Sequence, residues 1–447
     1  MMRPGGPLKT PPSGKLPPRP AGGSGAAGAR AGDPDAVDAV DAAGDAAGDA
    51  GSDAGAVRRA APSASARSRI PAFDVMRITD EIARRRAAGR DVVSLCAGEP
   101  GARPAPGTLR AAGYTGPLGT TPLREAIAGH YAAWYGVDVD PGRVAVTTGS
   151  SGAFQLVFLA AFDPGARVAL ACPGYPAYRN ILTALGVQVV EIPTGPATRY
   201  QPTPELLDAA VAAHGPLDGL IVASPANPTG TMLGRGELAE LAAWCTRSGA
   251  RLISDEIYHG IVYAGSDAAD PRGVTALTAS PDAIVINSFS KYWGMTGWRL
   301  GWAILPPDLV APMEALASNF ALSPPAPAQE LALTAFIAES YAERDRVVEG
   351  FARARALILD AEPELHWGAS APSDGAFYFY AELGEQLERF PDSVAFARAL
   401  LEQADVAIVP GVDFDPIAGG RSVRLSYAAG EPAVAEALDR ILRFQRA

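Results

Sequence analysis

Seven short apolar runs recur between residues 143 and 305: RVAVTTG, ARVALACPG, VQVVEIP, GLIVASP, RLISDE, AIVINS and RLGWAIL. Each is rich in β-branched or aliphatic side chains, and most stop at Gly, Pro, Ser or an acid, the pattern of a buried strand closed by a turn. Between them, SGAFQLVFLAAF and GELAELAAWCTRSG repeat apolar positions every three or four residues, which is helical spacing. Strands alternating with helices predict an α/β fold whose large domain holds a mostly parallel seven-stranded sheet sandwiched by helices. Upstream, DVMRITDEIARRRAAG has helical spacing and VVSLCAGEPG reads as a short strand entering a turn. Downstream, AQELALTAFIAESYAERDRVVEGFARARALILDA is helical throughout, and AFYFYAEL, VAIVPG and SVRLSYA read as strands. These outer parts predict a smaller α+β domain built from the N- and C-terminal segments. The boundaries read as 68–107 for the first part of the small domain, 108–338 for the large domain and 339–447 for the rest.

Residues 1–67 break all these patterns. Proline and glycine dominate the first thirty, and DAVDAVDAAGDAAGDAGSDAGA repeats Asp, Ala and Gly with almost no large side chain. Such a segment buries too little apolar area to offset its chain entropy, so it is expected to be a disordered, solubilising tail. Its aspartates also argue against an organellar transit peptide, and no apolar stretch suits a signal peptide or a membrane span. A net charge of -11 without a basic stripe argues against nucleic acid and anionic membrane as partners. Three scattered cysteines and four histidines give no metal or disulfide spacing and fit a reducing cytoplasm.

Candidate chemistry gathers at the strand ends, where open parallel sheets bind ligands. VINSFSK ends at Lys291, the only lysine after Lys15 in a chain that otherwise uses arginine. Lysine can lose its proton and act as an amine nucleophile, which arginine cannot. RLISDEIYHG runs an apolar strand into Asp255, a carboxylate that is costly to ionise there unless it meets a cation. LIVASPANPTG reaches Asn227 through turn chemistry. VAVTTGSSGAFQL passes through Gly149-Ser150-Ser151-Gly152 into a helix, whose free N–H groups and positive dipole end suit a phosphate. Taken singly, each has a plain structural reading as a loop lysine, a cap or a turn. Converging, they supply a reactive amine, a buried carboxylate, an amide, the phenol of Tyr258 and a phosphate nest, the groups that pyridoxal phosphate needs.

The ordered motifs G-S-S-G, P-G-Y-P-x-Y, N-P-T-G, D-E-I-Y, S-x-S-K and R-L-G resemble the class I/II aminotransferases of the fold-type I, pyridoxal-phosphate-dependent family, over roughly residues 70–445. The resemblance implies that Lys291 links to the cofactor and then moves the proton. It implies Asp255 on the ring nitrogen, with Asn227 and Tyr258 on the phenolate oxygen, and Tyr175 stacked on the ring. Ser150, Ser151, Ser288 and Arg299 are implied around the phosphate, together with Tyr114 reaching the phosphate of a neighbouring subunit, hence a homodimer with shared sites. Arg424, with Gly98 beside it, is implied on the substrate carboxylate. The expected activity is amino transfer from an L-amino acid to a 2-oxo acid by a ping-pong mechanism. A carbon–sulfur lyase or decarboxylase on the same fold is the alternative, and a non-catalytic sensor is a remote one. Related bacterial aspartate enzymes carry lysine where this chain has Ser151, so a dicarboxylate donor would need a cation from elsewhere. Tyr292, Trp293, Trp298 and Phe377 are read as packing residues that could otherwise line an apolar side-chain pocket.

Overall fold

The computed structural model describes residues 78, 81–82, 85–86, 88–96, 113–263 and 270–446; the tail 1–67 and Gly98 lie outside the described residues. The strands are β1 (Val93–Ser94), β2 (Val144–Thr147), β3 (Arg167–Cys172), β4 (Gln188–Pro193), β5 (Gly219–Ala223), β6 (Arg251–Asp255), β7 (Ile284–Ser288), β8 (Gly301–Ile304), β9 (Tyr378–Glu382), β10 (Val406–Ala407), β11 (Val409–Pro410) and β12 (Ser422–Ser426). The helices are α1 (Thr121–Tyr135), α2 (Gly149–Ala161), α3 (Pro176–Ala184), α4 (Pro204–His214), α5 (Arg235–Ser248), α6 (Pro307–Phe320), α7 (Ala326–Ala332), α8 (Ala338–Leu365), α9 (Ser393–Ala404) and α10 (Glu431–Arg446).

The seven expected strands form one sheet in the order β2-β8-β7-β6-β5-β3-β4, parallel except for β8, which runs antiparallel between β2 and β7. Alternate residues of the central strands enter two separate cores. Ile221, Ile253, Ile284 and Ile286 pack with Phe154 and Phe158 of α2 and Met313 of α6. Leu220, Leu252, Val285 and Trp302 point the other way, into a core that includes Leu238, Leu241 and Trp244 of α5. Burial on both faces is why these strands read as continuous apolar runs rather than alternating ones. Each fully buried Ile or Leu contributes about 1.5–3 kcal/mol relative to exposure.

A second, antiparallel sheet has the order β11-β12-β9, and β1 pairs in parallel with β10, joining the N-terminal segment to the C-terminal one. The long helical run expected over 328–361 is interrupted. After α7 comes a 3-10 turn, Leu333–Phe336, and Ile337 is extended at φ -92° and ψ 155° before α8 begins. Tertiary contacts account for the break: Trp293 Nε1 donates to the Ala335 carbonyl at 3.0 Å, and Phe336 inserts against His130 and Phe289. No described helix is long and apolar enough to cross a membrane.

Candidate active site

The parallel strands stop at one edge of the sheet, and the antiparallel β8 starts there. In register, Gly301 lies opposite both Thr147 and Ser288. That pairing brings Arg299, two residues before Gly301, to the first turn of α2. Gly149 has φ +71°, and a Cβ there would lie 2.6 Å from Arg299 Nη2; one on Gly301 would lie 2.7 Å from the Ser150 amide. Only glycine admits this approach of guanidinium and helix N-terminus. The result is a concave, cationic cradle with Ser150 and Ser151 on its rim. Arg299 Nη1 donates to Thr296 O at 3.0 Å, which anchors the fork while leaving the side chain exposed. Ser288 is buried, its Oγ 2.9 Å from Ser290 Oγ and 3.2 Å from Leu300 O.

Asp255 ends β6 fully buried. Its Oδ1 accepts from the Ile257 amide at 3.0 Å, and its Oδ2 accepts from the Tyr178 hydroxyl. Burial pushes the carboxyl up to about 6, while Tyr178, the Ile257 N–H and the Lys291 charge act in the opposite direction. A carboxylate held this way is poised to ionise against an arriving cation. Lys291 follows β7 and is half-buried, its Nζ 5.8 Å from the centre of the Tyr258 ring and 5.9 Å from that of Phe377. Tyr258, whose phenol burial holds well above the ordinary tyrosine range, shares a hydroxyl–hydroxyl bond of 2.8 Å with Tyr378. Tyr175 precedes α3, half-buried and edge-on to Tyr178 at 5.3 Å, with its phenol pushed up to about 12 by burial.

Arg424 comes from β12 and is buried. Its Nη1 donates to Asn227 Oδ1 at 3.0 Å and its Nη2 to the Cys96 carbonyl at 2.6 Å. Arginine only donates, so Asn227 must turn its oxygen to Arg424 and its NH2 group elsewhere. The guanidinium lies 4.4 Å from the Tyr378 ring centre and 4.7 Å from that of Phe414. Buried Nε has no acceptor among the described residues, a donor left over for an incoming carboxylate. Tyr114 is 85% exposed.

Several of the residues were not singled out by sequence. Tyr178 holds Asp255, and its only signal was its place in PGYPAY, one helical turn after Tyr175. Tyr378 joins Tyr258 to Arg424, and nothing in FYFYAEL distinguishes it from its aromatic neighbours. Of the aromatics weighed as pocket or packing, Tyr292 and Trp293 pack against Trp134, and Trp298 packs at the core edge. Phe377 is buried but also faces Lys291. Glu256 turns away from Asp255: its Oε1 accepts from the Ala276 amide at 2.8 Å, and burial pushes it up to about 8.

These residues fit pyridoxal phosphate on structural grounds: a cradle that glycine alone keeps open, a buried carboxylate that feels a lysine's charge, and a phenol ring 5.8 Å from that lysine's Nζ. Residues 107–441 match the family model described as aminotransferase class I and II. Over 385 residues, the chain is 47% identical to the valine–pyruvate aminotransferase of Mycobacterium tuberculosis, covering 84% of this chain and 96% of that protein. A crystal structure of an aminotransferase from Mycobacterium tuberculosis superposes with a TM-score of 0.80 at 45% identity, covering 86% of this chain and 99% of the other. The aspartate aminotransferase of Thermus thermophilus with maleate superposes with a TM-score of 0.78 at 31% identity, over 86% of this chain and all of that one.

Proposed function

This chain belongs to the class I and II aminotransferases, and from that premise we infer that it transfers the amino group of a small aliphatic amino acid to a 2-oxo acid such as pyruvate. That it is a pyridoxal-phosphate-dependent enzyme moving amino groups between amino acids and 2-oxo acids follows from the family. The substrate class rests chiefly on the 47% identity with a valine–pyruvate enzyme across nearly its whole length. Two features of the site agree. Ser151 offers no cation to a distal carboxylate, and the rings of Tyr378 and Phe414 pack against Arg424.

When bound, pyridoxal phosphate supplies an aldehyde that reacts with amines and a protonated ring that takes up electrons from the substrate Cα. The chain's own residues do the rest. Gly149, Ser150, Ser151, Ser288 and Arg299 would hold the phosphate; Asp255 would keep the ring nitrogen protonated, with Tyr178 fixing its carboxylate. Asn227 and Tyr258 would donate to the phenolate oxygen, and Tyr175 would cover the ring. Arg424 would grip the substrate carboxylate and so fix the Cα hydrogen toward Lys291. Lys291 Nζ would take that proton and return it to carbon on the far side of the transferred nitrogen. Amino transfer, the reaction of the relatives, takes precedence over the lyase and decarboxylase alternatives.

The exposed Tyr114 supports a homodimer with shared sites. Thr115 N donates to Ser323 Oγ at 3.3 Å, which places Tyr114 beside the exposed Phe320 and Leu322, an apolar patch suited to a second copy. The β1–β10 pairing supports the division into a cofactor lobe, 108–338, and a smaller lobe from 68–107 and 339–447. A cytoplasmic location completes the proposal. The test is steady-state kinetics with valine and aspartate as donors to pyruvate. Parallel double-reciprocal lines and kcat/KM at least tenfold higher for valine are expected. A preference for aspartate would overturn the substrate class.

A further inference from the structure

Resting on that reading of the site, the geometry points to Tyr378 as a positioning residue that ties the donor on the cofactor's phenolate oxygen to the arginine on the substrate's carboxylate. Tyr378 opens β9 and is buried, and its carbonyl accepts from Ser373 Oγ at 2.8 Å, which fixes the start of the strand. Its two ends do different things. The hydroxyl lies 2.8 Å from that of Tyr258, and the ring face lies 4.4 Å from the Arg424 guanidinium carbon.

A tyrosine hydroxyl has one hydrogen to donate and lone pairs to accept. If Tyr258 gives its hydrogen to the phenolate oxygen, the Tyr258–Tyr378 bond can persist only with Tyr378 as donor. Tyr378 then does two things through Tyr258. It stops the Tyr258 hydroxyl from rotating toward Tyr378, and by donating to its oxygen it makes Tyr258 a stronger donor. Negative charge on the phenolate oxygen is better tolerated as a result, so the lysine-linked cofactor gives up its proton at lower pH. At the other end, the ring holds the guanidinium by its face, leaving the edge with Nε for the carboxylate.

The two ends separate by mutation. Purified holoenzyme is titrated with pH while the visible absorption of the bound cofactor is followed, alongside KM for the amino donor. Tyr378→Phe keeps the ring and loses the hydroxyl. Its spectral midpoint should rise by about 0.5 to 1 pH unit, the order of one hydrogen bond, with KM unchanged within about twofold. Tyr378→Leu loses both and should show the same midpoint shift with KM raised roughly five- to tenfold. Because Tyr378 acts through Tyr258, adding Tyr378→Phe to Tyr258→Phe should shift the midpoint no further. A Tyr378→Phe midpoint equal to wild type, or a further shift in the double variant, would overturn the inference while leaving the reading of the site intact. A wild-type protein with no visible band after addition of pyridoxal phosphate would overturn both. If Tyr378→Leu does not fold, the Phe titrations decide alone.

Discussion

The end of the seven-stranded sheet and the face of the three-stranded sheet build one site by different means. At the first, each strand contributes its last residue or one within four residues beyond it: Ser150 after β2, Asn227 after β5, Asp255 at the end of β6, Lys291 after β7. Position there follows from where a strand stops, and the strands are held from both faces by packed helices. At the second, Arg424 and Tyr378 are placed by cross-strand register, Arg424 opposite Tyr380 and Val409, Tyr378 opposite Ser426. The regions meet through polar bonds, Arg424 to Asn227 and Tyr378 to Tyr258. The sheet end is therefore the part that suits a resident cofactor, and the three-stranded face the part that suits a transient carboxylate. The chemistry and the grip on substrate should fail separately.

The largest effect should come from breaking the sheet end at its reactive group. Lys291→Ala should lower kcat by about 10^4-fold or more in a donor–pyruvate assay. Turnover near wild type would remove Lys291 from the chemistry. Asp255→Ala should follow, with cofactor lost on dialysis and kcat down by roughly 10^2–10^4-fold, read by retained absorbance and by rate. A near-normal rate there would end the account of Asp255 as partner of the ring nitrogen. On the other side of the comparison, Arg424→Lys replaces a bidentate fork with a point charge. KM for every amino donor should rise about 10- to 100-fold while the visible spectrum stays put. A changed spectrum with KM intact would mean the two regions are not separable in this way.

The smallest effect concerns stability alone. Burial holds the Glu256 carboxyl neutral up to about 8, against an ordinary 4.5. Its folded value is raised, so the stability it contributes is full below about 4.5 and is lost as pH rises toward 8. Glu256→Gln keeps the acceptor for Ala276 and cannot ionise. Its melting temperature should match wild type near pH 4.5 and exceed it near pH 8.5, by a few degrees on calorimetry. Equal melting temperatures at both ends would show that Glu256 is not buried as a neutral acid.

The same contrast explains what was legible in the sequence. The seven strands could be read because burial on both faces leaves them continuously apolar, and their terminal residues because chemistry sits where that apolarity stops. Asp255 and Lys291 each break a run of aliphatic side chains. Tyr178 and Tyr378 break nothing: one is an ordinary helix-face aromatic, the other one of four adjacent apolar or aromatic residues, Phe377 to Tyr380. Their roles arise from contacts 77 and 120 residues away along the chain. The interrupted helix at Ile337 has the same origin, since Trp293 and His130 are distant in sequence and no local signal marks their reach.

The central claim is that this strand-end cluster carries the cofactor on Lys291, and the chain offers a direct test. Its other lysines, Lys9 and Lys15, both lie in the N-terminal tail. Holoenzyme reduced with borohydride, digested and analysed by mass spectrometry should carry the pyridoxyl phosphate mass on the peptide containing Lys291, at about one label per chain. Label on Lys9 or Lys15, or no label in protein that turns over, would contradict the account.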